Sequence, residues 1–371
     1  MKTSRKIFRW ITVFAMFLTL MAPVFAAQDY GITWEITEDG VLTISGNGEI
    51  TDFPWNSQTE IISKVVIEEG ITGIGNDAFI SCVNLEEVVF PDSLMFIGDS
   101  IFRTEYLKRV FIPARVCELS SYAFQYCTNL ERIDVSPENA WFTSDSMGVV
   151  YSKDMTMLLM APTGFQGSYT ILGTVRSVGG EYAYEYYREK YDDYFQVREA
   201  YSPFRFCERL TDIHFSAGVE TIGASAFRGC DGLTEIIIPD SVFRVDDYAF
   251  AGCSFVESLH IGSGVKVIGD HSFDGLRALT ELIVPGNVRN IGIYAFAESD
   301  NLEKVFFEDG IRKIGKYAFL SCFKLKELRL PGTLWQITES AFRNCYELVN
   351  VTIPANVTSI ESLAFDNIEG L

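Results

Sequence analysis

Apolar residues in this chain follow two alternating rhythms, a period near three and then a period of two, and the whole cycle returns every 23 residues. Residues Ser225 to Asp247 carry one cycle. Ala226 and Phe227 open it, and Cys230 and Leu233 follow 3 and 6 residues after the phenylalanine, as on one face of a tight helical turn. The period then drops to two. Ile236 and Ile238 alternate inward along a strand, and Pro239 ends it because proline cannot continue a ladder. Val242 and Val245 form a second short apolar pair before the next Ala-Phe.

The same columns run down most of the chain. Phenylalanine stands at Phe79, Phe102, Phe124, Phe204, Phe227, Phe250, Phe273, Phe296, Phe319, Phe342 and Phe365, with gaps of 23, 22, 80 and then seven of 23. A fixed period of this length means stacked coils that each bury a face only against their neighbours. Like strands one period apart must pair in parallel, since every coil travels the same way. The expectation is a single right-handed solenoid with a continuous parallel sheet, reaching Ile353 and interrupted or decorated at 141–201. Ahead of it, Ile32 to Ile36 and Val41 to Ser45 alternate around Glu38-Asp39-Gly40, a hairpin signal. Such an atypical first unit would shield the end of a stack.

Ile74-Gly75, Ala78-Phe79, Cys82, Leu85 and Phe90-Pro91 resemble the BspA-type (treponemal-type) leucine-rich repeat of exported bacterial proteins, and later cycles meet the pattern again. The resemblance covers about residue 60 to the end. It implies an α/β-type repeat solenoid: a leucine-rich repeat with short parallel strands, a 23-residue period and a β-hairpin N-terminal cap. For function it implies surface display and protein binding, adhesion-like, with the partner open. The alternative is a scaffold or accessory region of a larger secreted enzyme or cell-wall protein.

Residues 1–26 read as a leader. Lys2, Arg5, Lys6 and Arg9 precede the apolar stretch Ile11 to Met21, and Val24-Phe25-Ala26 gives a small-residue cleavage pattern after Ala26. The apolar run is shorter than the ~20 residues of a spanning helix. The resulting division is 1–26 leader, 27–60 N-terminal β cap, and 61–371 solenoid with the insertion 141–201. The formal charge is −20, from 30 basic and 50 acidic residues; without the four basic residues of the leader it becomes 26 − 50 = −24. Phosphate backbones repel such a surface, so nucleic acid is excluded as a partner and a protein or other extracellular surface ligand is expected.

Seven of the 8 cysteines (Cys82, Cys127, Cys207, Cys230, Cys253, Cys322 and Cys345) fall three residues after a column phenylalanine. Leu276 and Ser299 take that place in other coils, so it reads as a small core site holding free thiols rather than disulfides. In the short Phe102 coil, Thr104 or Glu105 must fill it. Cys117 lies off the pattern and is the thiol expected to be exposed.

Two surfaces could bind. The outward position of each strand is Val89, Phe111, Asp134, His214, Ile237, His260, Ile283, Phe306, Arg329 and Thr352, half of them apolar. Strands stacked ~4.8 Å apart make this a stripe of ~50 Å or less. It is either an interaction site or an outcome of strand propensity alone. Within the insertion, Trp141 to Leu172 reads as a hairpin plus a strand. Tyr184, Tyr187, Tyr191 and Tyr194 then recur at spacings of 3, 4 and 3, predicting an amphipathic helix. Its aromatic face either packs on the neighbouring coil or projects as a recognition element. Chemistry is not indicated. The only histidines are His214, His260 and His271; His214 and His260 share a column ~10 Å apart with no carboxylate or cysteine at ligand spacing, and no phosphate-cradling loop stands out. No catalytic residue, cofactor or metal is expected. The last cycle stops at its leucine, Leu371, which predicts either further sequence or end-to-end pairing.

Overall fold

The computed structural model describes residues 25–29, 31–188, 193–349 and 351–368. Each coil has three sides. One is a strand of three or four residues, such as Glu235–Ile238; the second is a two-residue strand, such as Arg244–Val245; the third is a hydrogen-bonded turn around the column phenylalanine. Successive coils pair in parallel and in register, with Ile237 beside His260 and Ile283 beside Phe306 beside Arg329.

The turn is not helical. Among the described residues the helical segments are two 3-10 stretches, Pro54–Ser57 and Thr59–Ile61, both ahead of the first column phenylalanine. The α/β label therefore gives way to a parallel β-solenoid with nearly no helix. The reason lies two residues before the phenylalanine. Ser225, Tyr248, His271, Tyr294, Tyr317 and Ser340 all have φ between 53° and 59°, the left-handed region. A non-glycine residue there costs ~1–2 kcal/mol. What holds it is bonding between coils: Tyr248 N donates to Asp270 O at 2.8 Å, Phe250 N to Ser272 O at 2.8 Å, and Gly252 N to Asp274 O at 2.7 Å. The turn's amides thus find partners along the stack instead of within a helix, which satisfies buried backbone donors equally well.

The column phenylalanines form a core spine. Phe204, Phe227, Phe250, Phe273, Phe296, Phe319, Phe342 and Phe365 stack with centroids 5.0–5.5 Å apart. Toward the N-terminus the spine continues through Phe102 and Phe79 to Trp55, which stacks on Phe79 at 5.4 Å and donates its indole N–H to Ala78 O. Trp55 occupies the phenylalanine's place in a coil that the repeat pattern does not reveal.

The long sheet is not continuous. On the wider side the ladder divides into short sheets, including Glu235–Ile238 with Ser258–Ile261, and Glu281–Val284 with Lys304–Phe307 and Glu327–Arg329. The narrow side carries an eight-stranded sheet instead. It runs from Phe142–Ser144 through Val150–Ser152, Met157–Met160 and Ser177–Val178 to Asn290–Ile291. It therefore begins inside the insertion and continues into the later coils, while the narrow strands before the insertion, ending at Glu118–Leu119, form a separate four-stranded sheet. The hairpin-plus-strand reading of 141–172 holds: Val150–Ser152 and Met157–Met160 are antiparallel, and Gln166–Thr170 pairs in parallel with Arg209–His214.

The N-terminal hairpin, Ile32–Ile36 and Val41–Gly46, is antiparallel, and its second strand pairs in parallel with Lys64–Ile67 of the coil that carries Phe79. The expected leader lies outside the described residues up to position 24. Phe25–Asp29 forms a strand against Ile32–Ile36, with Ala26 opposite Glu35. Leu371 also lies outside the described residues, and Val351 to Ile353 form no strand.

Candidate functional site

The outward stripe is on the surface. Ile237, Ile283 and Phe111 are 51%, 50% and 53% exposed, and Val89 is 40% exposed. His214, His260, Arg329 and Thr352 are exposed as well, whereas Phe306 and Asp134 are half-buried. Their inward neighbours in the same strands are buried, Ile236, Ile238, Leu282 and Val284 completely. Exposure is therefore a consequence of strand alternation, and an apolar side chain on the outer face gains nothing from the core. A groove of about 630 Å³ opens on this face where no ladder joins Ser258–Ile261 to Glu281–Val284. His260, Ile283 and Pro285 lie in it, together with Asp240, Glu257, Glu281 and Glu308.

The predicted helix of the insertion is absent. Gly180–Arg188 and Asp193–Tyr201 pair antiparallel as a hairpin, placing Tyr184 opposite Val197 and Tyr187 opposite Tyr194. Tyr191 lies outside the described residues. Tyr182, Tyr184 and Tyr186 also alternate with period two in the sequence, and tyrosine favours strands. The period of two outcompetes the 3-4-3 spacing. The hairpin's base is anchored. Tyr201 is 1% exposed and donates its hydroxyl to Leu119 O at 2.7 Å, 82 residues earlier in the chain. Gly179, at φ 72°, passes so close to Tyr201 O that a Cβ would lie 2.5 Å from it.

The seven repeat cysteines are buried free thiols, as their column implied. Cys230 Sγ donates to Phe204 O at 3.0 Å, Cys253 to Phe227 O at 3.1 Å and Cys345 to Phe319 O at 3.4 Å, each bonding back by 26 residues. That weak bond explains why the small site takes cysteine. Thr104 fills it in the short coil, 3% exposed and donating to Leu85 O at 2.8 Å, and Ser299 bonds Phe296 O at 3.1 Å. Burial pushes the Cys82, Cys253 and Cys345 thiols up to about 12. A thiol so poorly ionised is no nucleophile at neutral pH. Cys117, expected outside, is 1% exposed. Phe243 and Trp335 hold the matching place in uninterrupted coils and are 41% and 44% exposed. Next to Cys117 the segment leading into the insertion folds over, with Asn139 Nδ2 donating to Pro113 O and Val116 O at 3.0 and 2.8 Å.

One feature escaped the sequence reading. Tyr248, His271, Tyr294 and Tyr317, the left-handed residues of four successive turns, form an outer ladder of stacked rings 4.6–4.7 Å apart. His271 Nδ1 lies 2.8 Å from Asp274 Oδ2 within it. The signal was present in the residue two before each phenylalanine, a column with no hydrophobic consensus. Among the described residues no group of three or more His, Cys, Asp or Glu is arranged to hold a metal, and no helix is long and apolar enough to cross a membrane.

A coil with this register, phenylalanine spine and thiol column defines the repeat, and the sequence profile of the BspA type leucine rich repeat region matches in 6 copies over residues 50–147, 200–312 and 244–371. The chain belongs to the BspA-type leucine-rich repeat family. Among solved structures, a leucine-rich repeat protein from Eubacterium ventriosum shares 26% identity at a TM-score of 0.57, covering 91% of this chain and 93% of that one. A leucine rich cell surface protein from Faecalibacterium prausnitzii matches at 17% identity and a TM-score of 0.42, over 82% and 94% of the two chains. A leucine-rich repeat protein from Bacteroides ovatus matches at 18% identity and 0.42, over 93% of each chain. A search of curated proteins found no match. A repeat array of this kind presents an extended surface suited to binding protein.

Proposed function

We propose that this BspA-type protein is exported and binds another protein at the outer face of its wider strands, as an adhesion-like module at the cell surface or outside the cell. The observation that carries the reading is the exposed stripe: Phe111, Ile237 and Ile283 each expose about half of their surface on a rigid, laddered support. Exposed apolar side chains arrayed along one face are characteristic of docking surfaces. The basic n-region and apolar stretch of the first 26 residues support export. The hairpin Ile32–Ile36 and Val41–Gly46, whose second strand continues the sheet of the coil that carries Phe79, serves in this reading as the cap of the stack.

The test is binding of the labelled protein to a panel of immobilised, purified extracellular proteins, compared with a triple variant Phe111→Asp, Ile237→Asp, Ile283→Asp. The native chain should bind selected members, and the variant should lose that binding at an unchanged melting temperature. Equal binding by both proteins would move the site away from this face. Fractionation of the producing cells, with the chain recovered only in the cytoplasm, would remove the export half of the proposal.

A further inference from the structure

The groove on the outward stripe has a charge arrangement that selects its occupant. We infer that it receives an extended segment of another protein in which two Lys or Arg side chains flank an apolar one at alternate positions, basic-x-apolar-x-basic. The inference rests on the protein-binding reading above and names the partner's chemistry. The groove lies between Ser258–Ile261 and Glu281–Val284, and its lining contains four carboxylates and no Lys or Arg. Those carboxylates are divided between its two ends. Glu257 immediately precedes one strand and Glu281 begins the next, whereas Asp240 and Glu308 stand just past the ends of the flanking strands Glu235–Ile238 and Lys304–Phe307. Between the two ends lies the half-exposed side chain of Ile283.

The far pair is held in position before any ligand arrives. Asp240 Oδ1 accepts from Ser263 N at 2.7 Å and Ser263 Oγ at 2.9 Å, and Glu308 Oε2 accepts from Gly286 N at 3.1 Å. At the near end Lys304 Nζ approaches Glu281 only to 3.8 Å, and both side chains are about half exposed, so that pair is weak and leaves the carboxylate open to a second cation. An extended chain advances ~3.3 Å per residue, so positions i and i+4 lie ~13 Å apart with i+2 between them on the same face. That span matches a four-residue strand with charge at each end and an apolar centre. Two cationic side chains would then meet the two carboxylate ends while the central one covers Ile283.

Other occupants fit less well. A metal ion needs converging ligands, and these carboxylates sit at opposite ends of a strand. A second copy of this chain carries a net charge of −20 and would be repelled. An acidic peptide meets the same repulsion at both ends.

The experiment is fluorescence anisotropy of a labelled peptide containing Lys-Ser-Val-Ser-Lys, flanked by Gly-Ser, with the full chain. Two comparison peptides carry Glu-Ser-Val-Ser-Glu and the permuted order Lys-Lys-Ser-Val-Ser. The first peptide should bind about tenfold or more tightly than either comparison, and the double variant Glu257→Gln, Glu281→Gln and the single variant Ile283→Ser should each lose about tenfold. Binding should also weaken as salt rises to about 0.5 M, because the charges are exposed and screened. A Val83→Ser variant, on an exposed turn outside both the groove and the stripe, should bind normally, and melting curves confirm that all variants fold. Equal affinity for the permuted peptide, or no loss in the groove variants, overturns the inference. If the peptides fail while the stripe variant still loses binding in the protein panel, only the partner chemistry falls. If both fail, the protein-binding face itself is wrong.

Discussion

Cysteine at the third place after seven of the column phenylalanines is a packing choice with chemical consequences. The thiol is small enough for the site, and its S–H reaches the phenylalanine carbonyl of an earlier coil, at 3.1 Å for Cys253. Because desolvation raises the Cys253 pKa from 9.0 to about 12, the folded chain keeps this thiol neutral where the unfolded chain ionises it. The sign follows directly. Below pH 9 both states hold the proton and stability is unaffected, whereas between pH 9 and about 12 the unfolded state binds fewer protons and stability falls. At pH 8 we therefore expect no reaction of the seven repeat thiols with a colorimetric disulfide reagent in the native protein, and full reaction after denaturation. Rapid native labelling of more than one of them would mean that the column faces solvent. The sequence disclosed this column because spacing alone defines it. It did not disclose the burial of Cys117, beside which Asn139, just ahead of the insertion, folds over to bond Pro113 O and Val116 O, a contact that no local pattern encodes.

At the scale of elements, the strands were legible and the turns were not. Ile236 and Ile238 alternate, and alternation admits one reading; Phe227, Cys230 and Leu233 at spacings of 3 and 6 admit a helix or a tight turn equally. Bonds between coils decide for the turn, and these become visible only when the coils are stacked. The tyrosine segment shows the same ambiguity resolved toward a hairpin, Gly180–Arg188 with Asp193–Tyr201. The hairpin is tied to the stack at its base, where Tyr201 is buried and bonded to Leu119 O. Deleting Tyr182 to Glu199 with a short linker should leave the denaturation midpoint nearly unchanged. Tyr201→Phe, which strands the Leu119 carbonyl, should cost ~1–3 kcal/mol in urea melts. A collapse of stability in the deletion would show that the hairpin packs on the coils along its length.

For the whole molecule, the decisive feature is where its two halves meet. The buried apolar residues divide into two clusters, one from Trp34 to Leu130 and beyond, the other centred on the spine Phe204 to Phe342. The hairpin Val150–Ser152 and Met157–Met160 is shared between them: Val150 and Leu159 belong to the first cluster, Tyr151 and Leu158 to the second. A solenoid is stabilised by nearest-neighbour interfaces, so coupling between its halves must pass through such a junction. Phe273 lies wholly in the second cluster, stacked between Phe250 and Phe296 and completely buried. Phe273→Ala should cost ~3–5 kcal/mol. With the junction intact, urea-dependent hydrogen exchange should show residues 64–135 losing protection together with residues 235–342, at a lower midpoint than in the native chain. Adding Leu158→Ala and Leu159→Ala, one on each cluster, should release the first half, so that its midpoint no longer follows the Phe273 substitution. A first half indifferent to Phe273→Ala while the hairpin is intact would mean that the two clusters fold as separate units, and that any ligand bound on the second half is felt only there.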